Sequence, residues 1–244
     1  MDERTIDLDR NLFAVAFSVF RGNWAPYATA ILIWLASVAV TGVIEAPVGL
    51  ALLRMALVVI VGHAAYRFLL SGGAVRGWRA IATADGRFPW RYAAVMLIIL
   101  SPILILGIVW NAPGTGVGPG GLDEIGFCMA MVVIYVALYI LVGTALPAVA
   151  THGRVSLGDT LRRGWRNYRA IGLSLVLGVW LFRIGSILVV VVLSSLGITV
   201  DFYPPGGGSF RPEAAGPMLF LMFSHVFAEC LSATVLLRAY RRFR

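Results

Sequence analysis

Lysine is absent. All twenty basic residues of the 244-residue chain are arginine. This excludes the Schiff-base chemistry of retinal and pyridoxal cofactors, the phosphate-gripping lysine of a Walker A loop and a lysine general base. Charge is also scarce: 13% of residues are charged and 59% hydrophobic, where about a quarter charged is usual for a globular domain. So much apolar surface needs lipid. The two cysteines, Cys128 and Cys230, both fall inside apolar stretches. A disulfide framework is therefore not indicated, and both read as small hydrophobes. The histidines His63, His152 and His225 stand in different segments, without HxxxH, ExxH or CxxC spacing, so no metal and no other cofactor is expected. The opening MDERTIDLDR is polar, and the apolar stretch after it runs on into a first span without a small-residue cleavage site. The N-terminus is expected to be uncleaved.

A span needs about 20 apolar residues to cross roughly 30 Å of hydrocarbon. Six segments qualify: 25–44, 46–70, 92–110, 125–150, 170–200 and 217–237. The first, third and fourth carry no charge. The second holds Arg54, His63 and Arg67, the fifth Arg183, and the sixth His225 and Glu229.

The net charge of +8 resembles a nucleic-acid signature until the arginines are sorted by loop. Arg4, Arg10 and Arg21 precede the first span; Arg76, Arg79, Arg87 and Arg91 lie between the second and third. Arg154, Arg162, Arg163, Arg166 and Arg169 lie between the fourth and fifth, and Arg238, Arg241, Arg242 and Arg244 follow the sixth. Those sixteen share one side, and the loops of the other side hold Arg211 alone. The positive-inside rule accounts for this asymmetry better than nucleic acid does, and it puts both termini in the cytoplasm. The two longer outer loops, NAPGTGVGPGGLDE and DFYPPGGGSFRPEAAG, are rich in the Gly and Pro that favour turns over helix.

A basic stretch with aromatics at its edge precedes each odd-numbered span: FRGNWAPY, RFPWRY and WRNYR. The pattern suggests one amphipathic segment plus one helical hairpin, used three times. Before the fifth span, Ser156 stands as a helix N-cap with Asp159 three residues on, an acid version of the capping box. Leu157, Leu161, Trp165 and Tyr168 recur on one helical face and Arg162, Arg163, Arg166 and Arg169 occupy the rest. Such a helix is expected to lie in the bilayer interface, with its aromatics among acyl chains and its guanidinium groups, with Trp165 at their edge, on the headgroups of anionic lipids. The bland alternative is that these residues only set topology and anchor the spans.

The stretch LPAVATHGRVSLGDTLRRGWRNYRAIG combines a Pro near the end of one span, a turn, a capped amphipathic helix and re-entry. It resembles the cytoplasmic connection in the membrane domain attached to some glycerophosphoryl diester phosphodiesterases and in their freestanding six-span bacterial relatives. In that family the hydrolase is a separate soluble barrel. The resemblance therefore implies a module of the bacterial inner membrane without hydrolase activity of its own.

Ionisable groups inside spans are the default functional candidates of a membrane protein. His225 and Glu229 are four apart and share a helical face with Ser232. At 1.5 Å per residue, Glu229 lies about 13 Å, His225 about 20 Å and Arg183 about 21 Å from the cytoplasmic edge. Arg183 can then reach Glu229 between antiparallel spans, and an ion pair fixing the register of that hairpin is expected. His63 lies near the depth of Glu229 with Arg67 one turn away, so either is an alternative partner. Arg54, near the outer end of its span, is expected to snorkel or to pair with Glu45. A rhomboid-type serine–histidine pair is set aside. Ser174 lies over about 10 Å from the depth of His225, and no Gly follows it.

The sequence thus predicts an all-α polytopic membrane protein of one domain, six spans in three hairpins with cytoplasmic interfacial helices. A non-enzymatic module that associates with or organises lipids or other membrane proteins is expected, with no nucleic acid. A small transporter or channel using Arg183, His225, Glu229 and His63 is the rival.

Overall fold

In the computed structural model, residues 8, 11–40, 47–84, 86–87, 89–110, 122–152, 156–202 and 210–242 are described. Their regular structure is helical throughout, with no strand among them. The helices are α1 (Leu12–Gly22), α2 (Trp24–Val40), α3 (Pro47–Leu70), α4 (Trp90–Trp110), α5 (Leu122–Val142) and α6 (Ala145–His152). They continue with α7 (Leu157–Arg166), α8 (Tyr168–Ser174), α9 (Leu181–Ser195) and α10 (Ala215–Arg242). A π-helical turn, Leu175–Trp180, joins α8 to α9, and 3₁₀ turns occupy Gly77–Ala80 and Pro212–Ala214.

Three helical stretches are long and apolar enough to cross a bilayer: Leu52–Leu70, Tyr168–Ser195 and Pro212–Arg242. Two bent pairs, α1 with α2 and Val132–Val142 with Ala145–Thr151, raise the number to five if each counts as one span. A shorter apolar helix, Trp90–Pro102, lies in the expected third span. The protein is therefore an all-helical chain with three to five candidate membrane spans.

Prolines stand inside two of the expected spans, with different outcomes. Pro102 lies inside α4 and withholds the N–H that the Ile98 carbonyl would receive. The Ser101 hydroxyl donates to that same carbonyl at 3.1 Å, and the helix continues. Pro147 instead cannot donate to the Gly143 carbonyl, which its ring would crowd in a straight helix, and that carbonyl accepts the Leu146 N–H at 3.0 Å. Here the expected span 125–150 breaks at Gly143–Thr144 with a 44° bend. The expected fifth span ends early, at Ser195, where Gly197 takes φ +81°, a conformation that stops a helix of L-residues.

The chain divides into two compact units, residues 1–89 with 176–235 and residues 90–175 with 236–244. In the first, α1 meets α2 at an 83° bend. The Tyr27 hydroxyl donates to the Val61 carbonyl on α3 at 3.3 Å, and Arg54 holds Ser37 through Nε and Nη2 at 3.1 and 3.2 Å. Glu45, the other partner considered for Arg54, lies outside the described residues. Phe20, Phe182, Phe223 and Phe227 form an aromatic cluster, with Phe20 and Phe223 4.8 Å and Phe182 and Phe227 5.2 Å apart. Phe227 is its buried member, Phe20 and Phe182 are half-buried and Phe223 is exposed; such close packing is what holds helices together in lipid, where no hydrophobic drive does.

In the second unit, α7 docks on α5 through Gly164. A Cβ there would lie 2.5 and 2.6 Å from the carbonyl oxygens of Ile140 and Leu141, so only glycine permits the approach. Of the three basic stretches expected before the odd-numbered spans, FRGNWAPY joins the end of α1 to the start of α2 and WRNYR the end of α7 to the start of α8. The region before α4 holds the 3₁₀ turn Gly77–Ala80 instead, with Gly77 and Gly86 at positive φ.

Candidate functional site

Within the first unit, α9 and α10 bring together two of the intramembrane charges. Arg183 Nη2 lies 2.5 Å from Glu229 Oε1. The side chains are 17% and 4% exposed, so each charge would be costly alone and the pair offsets much of that cost. The guanidinium also lies over the Trp180 ring, 5.8 Å from its centre. Trp180 closes the π turn, and such widened turns recur where a helix must aim a particular side chain.

The two histidines point elsewhere. His225, one turn from Glu229, sets its ring edge-on to Trp34 at 4.7 Å. Its buried Nε2, and the buried hydroxyl of the adjacent Ser224, have no hydrogen-bond partner among the described residues. His63 places Nδ1 3.0 Å from the Ile81 carbonyl oxygen. Among the described residues no three His, Cys, Asp or Glu side chains gather as metal ligands.

In the second unit, α7 carries the basic surface. Ser156 caps it, its hydroxyl accepting from the Asp159 N–H at 3.4 Å, as the capping-box spacing predicts. Thr160, Gly164 and Asn167 are buried, while Leu157, Leu161, Trp165 and Tyr168 are exposed, Trp165 to 71%. The docking face is thus small and polar, and the apolar face is left uncovered. In water that arrangement is unfavourable; at a bilayer surface it buries apolar area.

Asp159, Arg162, Arg163, Arg166 and Asn167 line a cup of about 400 Å³. Arg163 lies over the Tyr240 ring at 5.2 Å, with Nη2 within 3.5 Å of the Thr160 hydroxyl. Arg162 and Arg166 are exposed. Arg169 turns away, donating from Nε to the Tyr168 hydroxyl at 2.8 Å. Of the expected headgroup residues, three arginines therefore share the cup and Arg169 does not.

One feature of the sequence carried more than its residue types reveal. Asn23 and Asn167 are both buried, and each ends an amphipathic helix and starts an apolar one. Asn23 Nδ2 donates to the Val19 carbonyl at 3.1 Å and Asn167 Nδ2 to the Arg163 carbonyl at 2.9 Å. In each case the asparagine's own carbonyl accepts the N–H of the fourth residue of the next helix, Tyr27 or Ile171. Around the two, several residues match in burial with the residue 144 positions on. Phe13 and Leu157, Phe17 and Leu161, and Trp24 and Tyr168 are exposed. Ala16 and Thr160, and Tyr27 and Ile171, are buried. The Arg–Gly–Asn–Trp and Trp–Arg–Asn–Tyr stretches are the sequence trace of this elbow. Its polar hinge could have been sought there, since Asn can close a helix end with both side-chain and main-chain bonds.

Comparison with family models, with curated proteins and with solved structures returns no match.

Proposed function

We propose that this chain is a non-enzymatic module of the bacterial inner membrane, of six spans with both termini cytoplasmic, that associates with anionic lipids and organises other membrane proteins through its helical surface. The observation that carries the reading is α7: its inner face is closed on α5 at Gly164, its apolar face is exposed, and three arginines share one cup. The sixteen arginines on one side supply the orientation. The resemblance of residues 146–172 to the membrane domain of glycerophosphoryl diester phosphodiesterases supports a role without hydrolase chemistry.

Replacing Arg162, Arg163 and Arg166 by Gln should weaken binding of anionic phospholipid by about 1 kcal/mol per charge, read as lipid retention in native mass spectrometry. Unchanged retention would reduce these residues to topology determinants. Reporter fusions after Gly118 and Gly207 should face outside and one after Arg244 inside; an outside C-terminal reporter would refute the six-span arrangement.

A transporter reading draws on the unpartnered His225 Nε2 and Ser224 hydroxyl beside the ion pair. The burial of Glu229 favours a structural pair instead. Glu229→Gln should then destabilise the protein by about 3 kcal/mol, leaving an orphaned guanidinium, and adding Arg183→Met should recover part of the loss. A Glu229→Gln protein that melts like the parent in detergent would return the pair to the transport reading.

A further inference from the structure

The first unit holds a second basic cup. It measures about 550 Å³ and is lined by Ser18, Arg21, Gly22, Trp24 and Ala25 at the α1–α2 elbow, and by Phe68, Gly73, Arg76 and Gly77 from the end of α3 and the loop after it. We infer that this cup binds the phosphate group of an anionic phospholipid between Arg21 and Arg76. The inference rests on the reading of the chain as a lipid-associated membrane module, but on different residues.

The cup is built by the fold. Two glycines end α3: the Gly73 N–H bonds the Phe68 carbonyl at 2.8 Å and the Gly72 N–H the Leu69 carbonyl at 3.3 Å, with φ of 87° and 63°, a Schellman closure. The Ser71 hydroxyl then accepts the Val75 N–H at 2.9 Å. Asn23 Oδ1, at the heart of the elbow, accepts the Gly77 N–H at 3.0 Å. That bond holds the loop bearing Arg76 against the helix end bearing Arg21. Gly22 packs beneath against the Phe68 ring, which a Cβ there would have to displace.

Two exposed guanidinium groups thus line one cup. Among the described residues neither has a carboxylate or hydrogen-bonding partner. Like charges brought together without a counter-ion repel, and a phosphate diester removes that repulsion while accepting from the planar donor forks. The source of the phosphate follows from the rim. Trp24 is 65% exposed there, and Phe13 and Phe17 of α1 are also exposed, the arrangement of an interfacial aromatic anchor beside acyl chains. A soluble phosphate compound would have no use for them.

The full-length chain, purified in detergent and stripped of lipid, is titrated with phosphatidylglycerol, with phosphatidylcholine and with inorganic phosphate, and read by native mass spectrometry. Arg21→Gln/Arg76→Gln should lose about 30-fold in affinity for phosphatidylglycerol at one site. Arg79→Gln/Arg87→Gln, which removes the same charge from the same loop side, should retain it, and phosphatidylcholine should be indifferent to both. Equal losses in the two double variants, or none in the first, would overturn the site. Inorganic phosphate binding that depends on Arg21 and Arg76, with phosphatidylglycerol unaffected, would overturn the lipid assignment. Loss confined to the Arg162, Arg163 and Arg166 variant would remove this site and leave the proposed function standing. Circular dichroism checks folding, and Arg76→Gln alone, in a loop, should still lose about fivefold.

Discussion

The two elbows, at Asn23 and at Asn167, share a pattern of exposure but are held by different means. At Asn23 both ends of the amide are used within the first unit, one on Val19 and one on Gly77. At Asn167 the Nδ2 is used on Arg163 and Oδ1 has no partner among the described residues. Instead, the second elbow is held by backbone packing, Gly164 lying on the carbonyls of α5. The first elbow is fastened by hydrogen bonds and the second by shape. The difference shows that the feature common to both, an amphipathic helix with an exposed apolar face turning into an apolar helix, does not depend on either fastening. What the two differently built elbows share is exposed apolar side chains at matching positions.

The largest effect should come from the glycines. Gly164→Ala drives a methyl into fixed backbone and should cost about 3 kcal/mol in a detergent melt. Gly22→Ala meets the movable Phe68 ring and should cost about 1 kcal/mol, partly offset by the better helix propensity of Ala. Equal losses would erase the distinction between a wall of carbonyls and a ring. Next come the asparagines. Asn23→Ala removes a donor and leaves the half-buried Gly77 N–H without its acceptor, about 2 kcal/mol; Asn167→Ala removes one bond, about 1 kcal/mol. A costlier Asn167→Ala in the same melt would mean that its Oδ1 is engaged after all. Smallest are the exposed aromatics. Trp24→Ser and Tyr168→Ser should each change detergent stability by about 0.5 kcal/mol or less; a large loss at either would identify it as packed against protein.

Much of the second elbow was legible in the sequence, because its charges make the period of 3.6 visible. Ser156 and Asp159 marked its start, and Leu157, Leu161, Trp165 and Tyr168 its outer face. The first elbow was not read as a helix. From Leu12 to Phe20 the chain carries no charge, so the amphipathic period is masked and the apolar stretch merges with the span that follows. The Arg183–Glu229 pair followed from depth and cost, since two charges at similar depths in neighbouring helices are tolerated together. His63 could not be placed by depth alone, because its acceptor, the Ile81 carbonyl, belongs to a loop whose path no periodicity fixes. The π turn before Arg183 left no trace in residue types. The break at Gly143 was marked in the sequence only by Pro147, four residues on, while Pro102 stands inside a helix that continues.

On the reading proposed above, α1 and α7 lie in the bilayer surface with their exposed apolar faces in lipid. Spin labels at Phe17→Cys, Leu161→Cys and Arg162→Cys, in a chain with Cys128 and Cys230 replaced by serine and reconstituted in vesicles, test it by power saturation. The labels at 17 and 161 should be relaxed by oxygen and shielded from a water-soluble nickel chelate, and the label at 162 should show the reverse. Labels at 17 and 161 as open to the nickel chelate as the one at 162 would contradict it.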